Sequence, residues 1–562
     1  MSDVKAWRKY TAYDIWRRTA LAALEHQQQK LQQPNLPQQP RHESPSVAQW
    51  NLEAVRRSRS RYANGSFNDG SFNDGSFNDG SFNDGSFNDG SFNDGSFNDG
   101  SFNDGSFNDG SFNDGSFNDG SFNDGSFNDG SLNLATVSAG AVMAWSSPAL
   151  PLLPGLGSAQ ASWVGSLPSL GAALGPWLGG WAADRAGRRT AALLSALPLA
   201  ASWVALLFVR QQPLWLCAVR FFSGIGVGLV YAVLPIYSAE IAQADVRGAL
   251  GSLMQTSITV GFMIDYCAGP FVSYTTLAAI GLATPLLFVA CFVWMPESPY
   301  YLLAVGDEAA AERALRWLRD VNEDVIFELR EIKKAVEESR LSEGSLLAVF
   351  RTRRSRRALA ISLGVVCAEQ LAGINAVLFY TQSIFDAAGG DVDSRVAPII
   401  VSGVMLLVSC LVPFLVDRLG RKFLLIFSST GMSLALAVFG AFFYLSEAGH
   451  NTEDIGWLPL TALVFYIFVY TPGYGGLPFT VAGEVFAPNL KAVAMPMAAF
   501  VSWFMSFLVT RFFGDITDAL GNYGAFFVFS LCSLLASLYV YFFVPETNGK
   551  TLEEIQIMLE NG

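Results

Sequence analysis

Two carboxylates, Asp265 and Glu369, stand within long runs that otherwise carry no charge, and Glu369 is followed by two amides, Gln370 and Asn375. A carboxylate in such surroundings is a functional candidate by default, because an isolated charge there is costly. Gln370 and Asn375 are five residues apart rather than four, and the intervening Gly373 fits a helix that breaks and offers its backbone to a solute. Buried amides either bind a polar ligand or join helices to one another, and spacing alone leaves both open. The residue types that would run an enzyme are not assembled. The six cysteines (217, 267, 291, 367, 410, 532) lie in or at the ends of apolar runs and read as small buried hydrophobes. The three histidines (26, 42, 450) lie outside those runs, which argues against a histidine proton relay. With no nucleophile–base pair and no metal-ligand cluster, neither catalytic residues, nor a metal, nor a cofactor is expected.

The elements that must position these residues are membrane helices. The chain has 562 residues, 51% hydrophobic and only 15% charged, which is unlike a water-soluble protein of this length. Its net charge of -13 belongs to one pentapeptide, SFNDG, repeated thirteen times over 66–130; without those thirteen aspartates the acids balance the 36 Lys and Arg. A nucleic-acid partner is not indicated. No charged residue occurs between Asp129 and Asp184, room for span 1 (Leu132 to Leu153) and span 2, each of about 20 residues. Ten further runs follow: spans 3 to 6 at 190–209, 214–239, 248–269 and 274–295, and spans 7 to 12 at 358–385, 396–416, 423–446, 457–483, 492–510 and 523–544. A bilayer supplies no water to backbone groups and no period-two alternation suggests a barrel, so each run is expected to be a helix.

The positions of Lys and Arg put 32 of 36 on the side of both termini, which places the termini in the cytoplasm. Arg220 and Arg511 are assigned to outer span ends, and Asp265 to the neighbourhood of the outer interface. The first apolar run is too late and too long for a cleavable signal peptide. Residues 1–131 read as a disordered cytoplasmic tail, since Asn-Asp-Gly every five residues favours turns. Simple repeat expansion accounts for its identity, while its evenly spaced phenylalanines offer stickers for a cytoplasmic partner.

An internal duplication organises the rest. DRAGRR at 184 returns as DRLGRK at 417, Glu240 with Arg247 returns as Glu484 with Lys491, and PESP at 296 returns as PETN at 545. Each pair falls at equivalent places after spans 2 and 8, 4 and 10, 6 and 12, as two six-helix halves would give. The expected architecture is therefore an all-α membrane protein of twelve transmembrane helices in two bundles: 132–295 and 358–544, joined by a cytoplasmic helical linker at 296–357 and followed by a tail at 545–562. Ala310, Ala314, Leu315 and Leu318, then Leu329, Ile332 and Val336, recur at helical spacing in the linker.

From about Leu132 to Leu559 the chain resembles a sugar porter of the major facilitator superfamily. The motifs that carry this are GGWAADRAGRR, RFFSGIGVGL, PIYSAEIAQADVRGALGS, PESPYYLL, EQLAGINAVLFY, DRLGRK, GGLPFTVAGEVF and PETNGKTLEEI, in that order. The short first outer loop and SSPALPLL in span 1 are similar to the glucose and trehalose facilitators. The resemblance implies that Gln255 on span 5, Gln370 and Asn375 on span 7, and Trp503 on span 11 contact sugar, whose hydroxyls and apolar faces call for amides and an aromatic wall. Glu369 and Phe479 occupy further contact positions with altered residues, where the family has Gln and Trp. Met405 and Ser506 stand where it often has Asn, and Ala372 where it has Ser. Such departures are compatible with an unusual sugar preference.

The resemblance also implies an ion-pair latch that joins the two bundles when the cavity faces outward: Asp184, Arg185, Arg188, Arg189, Glu240, Arg247, Asp417, Arg418, Arg421, Glu484 and Lys491. Lys491 replaces the usual Arg and loses the bidentate fork. Proton symporters of the family carry an acid in span 1, and this span 1 has none, which favours passive transport. Glu369 then reads as a neutral acid that hydrogen-bonds sugar much as Gln would. The expectation is a plasma-membrane uniporter for a glucose-like hexose or trehalose, with only sugar and lipid as partners apart from any bound by the tail. The alternatives are a proton symporter using Glu369 and a non-transporting sugar sensor.

Overall fold

A computed structural model describes residues 121–561 apart from 154, 211, 244–246, 320–324, 342–347 and 390–392. The expected tail, with its repeats up to residue 120, lies outside the described residues. The span 1 helix, Ser121–Ala144, begins earlier than the expected boundary and takes in the last two repeat units. Extending a helix already nucleated in the apolar run costs far less than starting one, which accounts for the earlier start. It continues through Ser146–Ala149 to the 3-10 turn Leu150–Leu152, where Pro148 and Pro151 interrupt the ladder.

No strand occurs among the described residues. Spans 2 to 6 are Ser158–Ala186, Arg188–Phe208, Pro213–Ile241, Arg247–Ala268 and Tyr274–Phe292. Span 7 is Arg353–Leu371 followed by Ile374–Ala388, and spans 8 and 9 are Ala397–Leu419 and Arg421–Glu447. Span 10 is split into Leu458–Tyr470 and Leu477–Val485. Spans 11 and 12 form the nearly continuous Pro488–Phe543, bent at Gly521, whose φ is +74°. Seven helices among the described residues are long and apolar enough by themselves to cross a bilayer. Spans 1, 2, 5 and 10 are not among them, because repeat residues, Gly, Ser and Pro dilute their apolar character or a break shortens them.

These small residues belong to helix contacts. A Cβ on Gly175 of span 2 would overlap the backbone of Gly228 on span 4, and one on Gly261 of span 5 would overlap the Val137 carbonyl on span 1. Close backbone approach of this kind substitutes packing for the hydrophobic drive that lipid does not supply.

The duplication is written into the turns after spans 2 and 8. Gly187 and Gly420, the glycines of DRAGRR and DRLGRK, have φ of +93° and +83°. Only glycine takes that conformation at no steric cost. The next helix starts immediately, and its unpaired amides are bound by the glutamate of the PES and PET motifs. Glu297 Oε1 accepts from Arg189 N at 2.9 Å, and Glu546 accepts from Arg421 N at 3.0 Å and Lys422 N at 3.1 Å. A carboxylate at a helix N-terminus satisfies orphan donors and complements the dipole.

The linker forms the helices Pro299–Val305, Glu308–Leu318, Val325–Leu341 and Ala348–Arg351. Leu303, Ala311, Leu315, Leu329 and Ile332 make a separate small core there. Arg319 ties it to span 4, donating to the Ile241 carbonyl at 2.9 Å and to both oxygens of Glu328 at 2.9 and 2.6 Å.

Candidate functional site

Span 7 breaks where Gly373 adopts φ +80°, and the break turns Gln370 and Asn375 toward each other. Asn375 Nδ2 donates to Gln370 Oε1 at 2.6 Å, and Gln370 Nε2 donates to Ser502 Oγ at 3.2 Å. All three are buried, Gln370 being 4% and Asn375 8% exposed. The carbonyl released at the break is satisfied as well, since the buried Tyr466 hydroxyl donates to Ala372 O at 3.0 Å. A helix broken within lipid is tolerated when neighbouring side chains take up its backbone groups.

Next in the chain after Ser502, Trp503 is 8% exposed and meets the edge of Tyr231 at 5.2 Å between ring centroids. Tyr231 is on span 4 and Trp503 on span 11, so this aromatic pair crosses from one bundle to the other. Glu369 Oε1 accepts from the Tyr470 hydroxyl at 3.4 Å, while Oε2 is buried with no partner of good hydrogen-bond geometry among the described residues. Amides, hydroxyls, a carboxyl and flat rings thus converge between the halves, the combination needed to exchange hydrogen bonds with a polyol and stack on its ring.

Of the residues expected from the sequence, the structure brings together Gln370 and Asn375, and places Trp503 beside Ser502, which closes their relay. Gln255 and Phe479 are half-buried on spans 5 and 10 and share no described contact with this group. Met405 is buried, and Ser506 is fully buried with its hydroxyl 2.9 Å from that of Ser169 on span 2. Ser502, Tyr470, Tyr231 and Ser169 were not anticipated. Ser502 stands next to a tryptophan already singled out; the other three have no local signal.

The two ends of the molecule differ. At the charged end, Arg188 Nε donates to both oxygens of Glu240 at 3.2 and 3.1 Å, the Ser298 hydroxyl also donates to Glu240, and Asp184 lies 3.6 Å from Arg188. In the second half Arg421 reaches Glu484 at 3.4 Å and donates to Asn548. Arg185 packs over Trp181, Arg189 donates to Val293 O at 2.5 Å, Arg418 is exposed and Lys491 is half-buried. The side chains of Arg247 and Asp417 lie outside the description. Each described ion pair at this end closes within its own half.

At the far end the contacts cross between halves. Ser162 Oγ donates to Arg511 O at 2.8 Å, and the Tyr380 hydroxyl donates to Ser162 O and Thr510 O, both at 3.4 Å. Gln382 N donates to Ser147 Oγ at 3.1 Å, and the Tyr266 hydroxyl to Leu378 O at 2.6 Å. The Arg511 guanidinium covers the Trp163 ring at 4.8 Å. Among the described residues the halves are therefore joined at the far end, while the ion pairs at their charged ends stay within each half.

Comparison with known proteins agrees with this architecture. The family model described as sugar (and other) transporter matches residues 124–559. The facilitated trehalose transporter Tret1 of Polypedilum vanderplanki is 37% identical over 399 residues, covering 71% of this chain and 79% of that protein. The Tret1-2 homolog of Drosophila simulans is 37% identical over 397 residues, 70% of this chain and 81% of its own. Among solved structures, the inward-open xylose transporter XylE from E. coli superposes with a TM-score of 0.65 at 23% identity, covering 76% of this chain and 98% of that one. The proton:xylose symporter XylE bound to 6-bromo-6-deoxy-D-glucose gives 0.63 at 24% identity, over 77% and 99% of the two chains. At such identity these structures speak for the fold alone, which is that of the major facilitator superfamily. With the family model spanning both bundles and the linker, this chain is a membrane protein that belongs to the sugar transporter family.

Proposed function

We propose that the protein is a uniporter that moves a glucose-like hexose or trehalose down its gradient by rocking its two bundles about the span 7 break. The observation that carries this is the buried Asn375–Gln370–Ser502 relay beside Trp503. Its donors and acceptors satisfy one another without ligand, and they can be redistributed to sugar hydroxyls at little net cost because one hydrogen bond replaces another. The facilitated trehalose transporters among the relatives support the sugar class and the passive mode. The charged residues at the inner span ends act as the latch of the outward-open state, in which partners now held within each half would bridge the two. The inner position of both termini rests on the distribution of Lys and Arg; residence in the plasma membrane goes with the proposed uptake of sugar.

A second reading has one observation in its favour: the unpartnered Oε2 of Glu369 could carry a proton with the sugar. Uptake of radiolabelled glucose and trehalose, separately, at pH 5.5 and 7.5 decides between them, with Gln370→Ala as control. Saturable uptake that an imposed proton gradient does not drive, and that is lost in Gln370→Ala, is the expected result. Uptake driven by an imposed proton gradient and abolished by Glu369→Gln would replace the uniporter with a symporter; no uptake by protein present at the cell surface would favour a sensor.

A further inference from the structure

The first half holds a buried charge arrangement that the sugar site does not use. Arg220 and Asp265 are both 0% exposed. Both lie toward the far ends of their helices, Pro213–Ile241 and Arg247–Ala268, as their places in the sequence imply, and both point into the bundle, where a guanidinium finds carbonyls that lipid does not offer. Arg220 donates from Nη1 to Val142 O at 2.9 Å and from Nη2 to Ser146 Oγ at 3.0 Å, with a longer contact from Nε to Val164 O at 3.4 Å. Its guanidinium lies 4.7 Å above the Trp145 ring. It braces residues 142–146 of span 1 against spans 2 and 4.

Asp265 faces the same stretch. Gly261 and Gly269, four residues to either side of it, pack on Val137 to Ala141 and on Pro148, so Asp265, on the same face of span 5, is directed at the residues between them. Yet neither of its carboxyl oxygens has a hydrogen-bond partner, and no ion pair joins it to Arg220 among the described residues. A carboxylate buried without donors is far more expensive than one that is paired, whereas a guanidinium stays charged. The charged and titratable groups around it are accounted for. Tyr266 donates to Leu378 O, and Tyr274 packs on Trp145 and donates to Val209 O. Arg210 lies over the Tyr274 ring, Arg511 lies over Trp163 and pairs with Asp515 at 2.9 Å, and Tyr380 donates to Ser162 and Thr510 carbonyls.

Both ends of this cluster touch the far-end seal. Ser147, next to Ser146, accepts from Gln382 N, and Tyr266, next to Asp265, donates to Leu378 O; both partners are on span 7. We propose that Asp265 and Arg220 form a proton-operated brace on this seal. With the carboxyl protonated, Arg220 holds span 1 at Val142 and Ser146 and the seal stays shut. When the O–H bond of Asp265 breaks and its proton passes to water, the carboxylate draws the guanidinium across, releases 142–146 and speeds opening at the far end. No sugar-coupled proton flux is involved, so the device sets the rate of a passive carrier. It rests on the transporter reading above.

The test is equilibrium exchange of radiolabelled glucose or trehalose in proteoliposomes of the full-length protein, with the same pH on both sides. Wild type is expected to exchange about threefold or more faster at pH 7.5 than at pH 5.5, a shift within reach of one interaction between two states. Asp265→Asn is expected to be flat at the low-pH rate, Asp265→Glu to keep a pH dependence, and Glu369→Gln, whatever its absolute rate, to keep the ratio between the two pH values. A wild-type rate independent of pH, or a profile that survives Asp265→Asn, overturns the brace. A profile removed by Glu369→Gln overturns it in favour of the sugar site. Absence of any exchange overturns the transporter reading itself, and the brace with it.

Discussion

The two halves repeat one another at their charged ends and diverge inside the membrane. Arg188 with Glu240 and the Glu297 cap has its counterpart in Arg421 with Glu484 and the Glu546 cap, down to the positive φ of Gly187 and Gly420. Between these ends, spans 2, 3 and 4 of the first half run as unbroken helices seated on one another through glycine, as at Gly175 and Gly228. The second half is broken twice, at Gly373 and over 471–476, and holds the amide relay beside the first break. On the proposed reading, the contrast teaches that the latch was kept in both copies while the sugar contacts gather beside the break in span 7. Continuous, closely packed spans 2 to 4 and a broken span 7 would let the halves change their mutual angle while the site adjusts at the break.

The comparison can be broken most severely at the glycine seams of the first half. Gly175→Val should drive a side chain into the Gly228 backbone and destabilise the first bundle by about 3 kcal/mol. Thermal unfolding followed by fluorescence-detected gel filtration would register this as a lower transition temperature or as loss of monodisperse protein; an unchanged transition would mean the seam has room to part. Gln370→Ala should reduce sugar uptake by about tenfold or more, equivalent to about 1.4 kcal/mol, because it strands both Asn375 and Ser502. Gln255→Ala, in the first half and outside the relay, should cost less; equal losses would erase the asymmetry.

Gly373→Ala tests the break itself. An L residue at φ +80° costs about 1 to 2 kcal/mol, and its Cβ would press on the Phe529 ring, so slower turnover with a modest fall in thermal stability is expected. Ser506→Ala removes the hydroxyl bond to Ser169 that spans the halves. A loss of about 1 kcal/mol from the sealed state shifts its population about fivefold, measurable as faster labelling of a cysteine placed at residue 162. The smallest effect belongs to Lys491→Arg, which restores a forked donor at a half-buried position and should alter uptake by no more than a few tenths of a kcal/mol.

How much of this was legible depended on whether the signal was local. The Gln370–Asn375 pair and the intervening Gly373 lie within six residues, and the break was readable there; that the two amides bond each other depends on the turn the break makes. The split of span 10 carried a comparable signal, since Pro472, Gly473, Gly475 and Gly476 crowd one short stretch, but the length of the apolar run masked it. Ser506 was noted as a lost amide; that its hydroxyl would meet Ser169 required spans 2 and 11 to be adjacent. The place of Arg220 near a span end is a matter of sequence position, and only packing revealed the carbonyls and the tryptophan face that receive it.

By itself the sequence determined the helical spans, the duplication and the sidedness of charge, because hydrophobicity, motif recurrence and Lys and Arg content are properties of contiguous residues. Only the tertiary structure decided which end is sealed, which ion pairs stay within a half, and which amide meets which hydroxyl. Those outcomes depend on groups far apart in the chain, such as Ser162 with Arg511 or Gln370 with Ser502, whose meeting is set by how twelve helices share one interior.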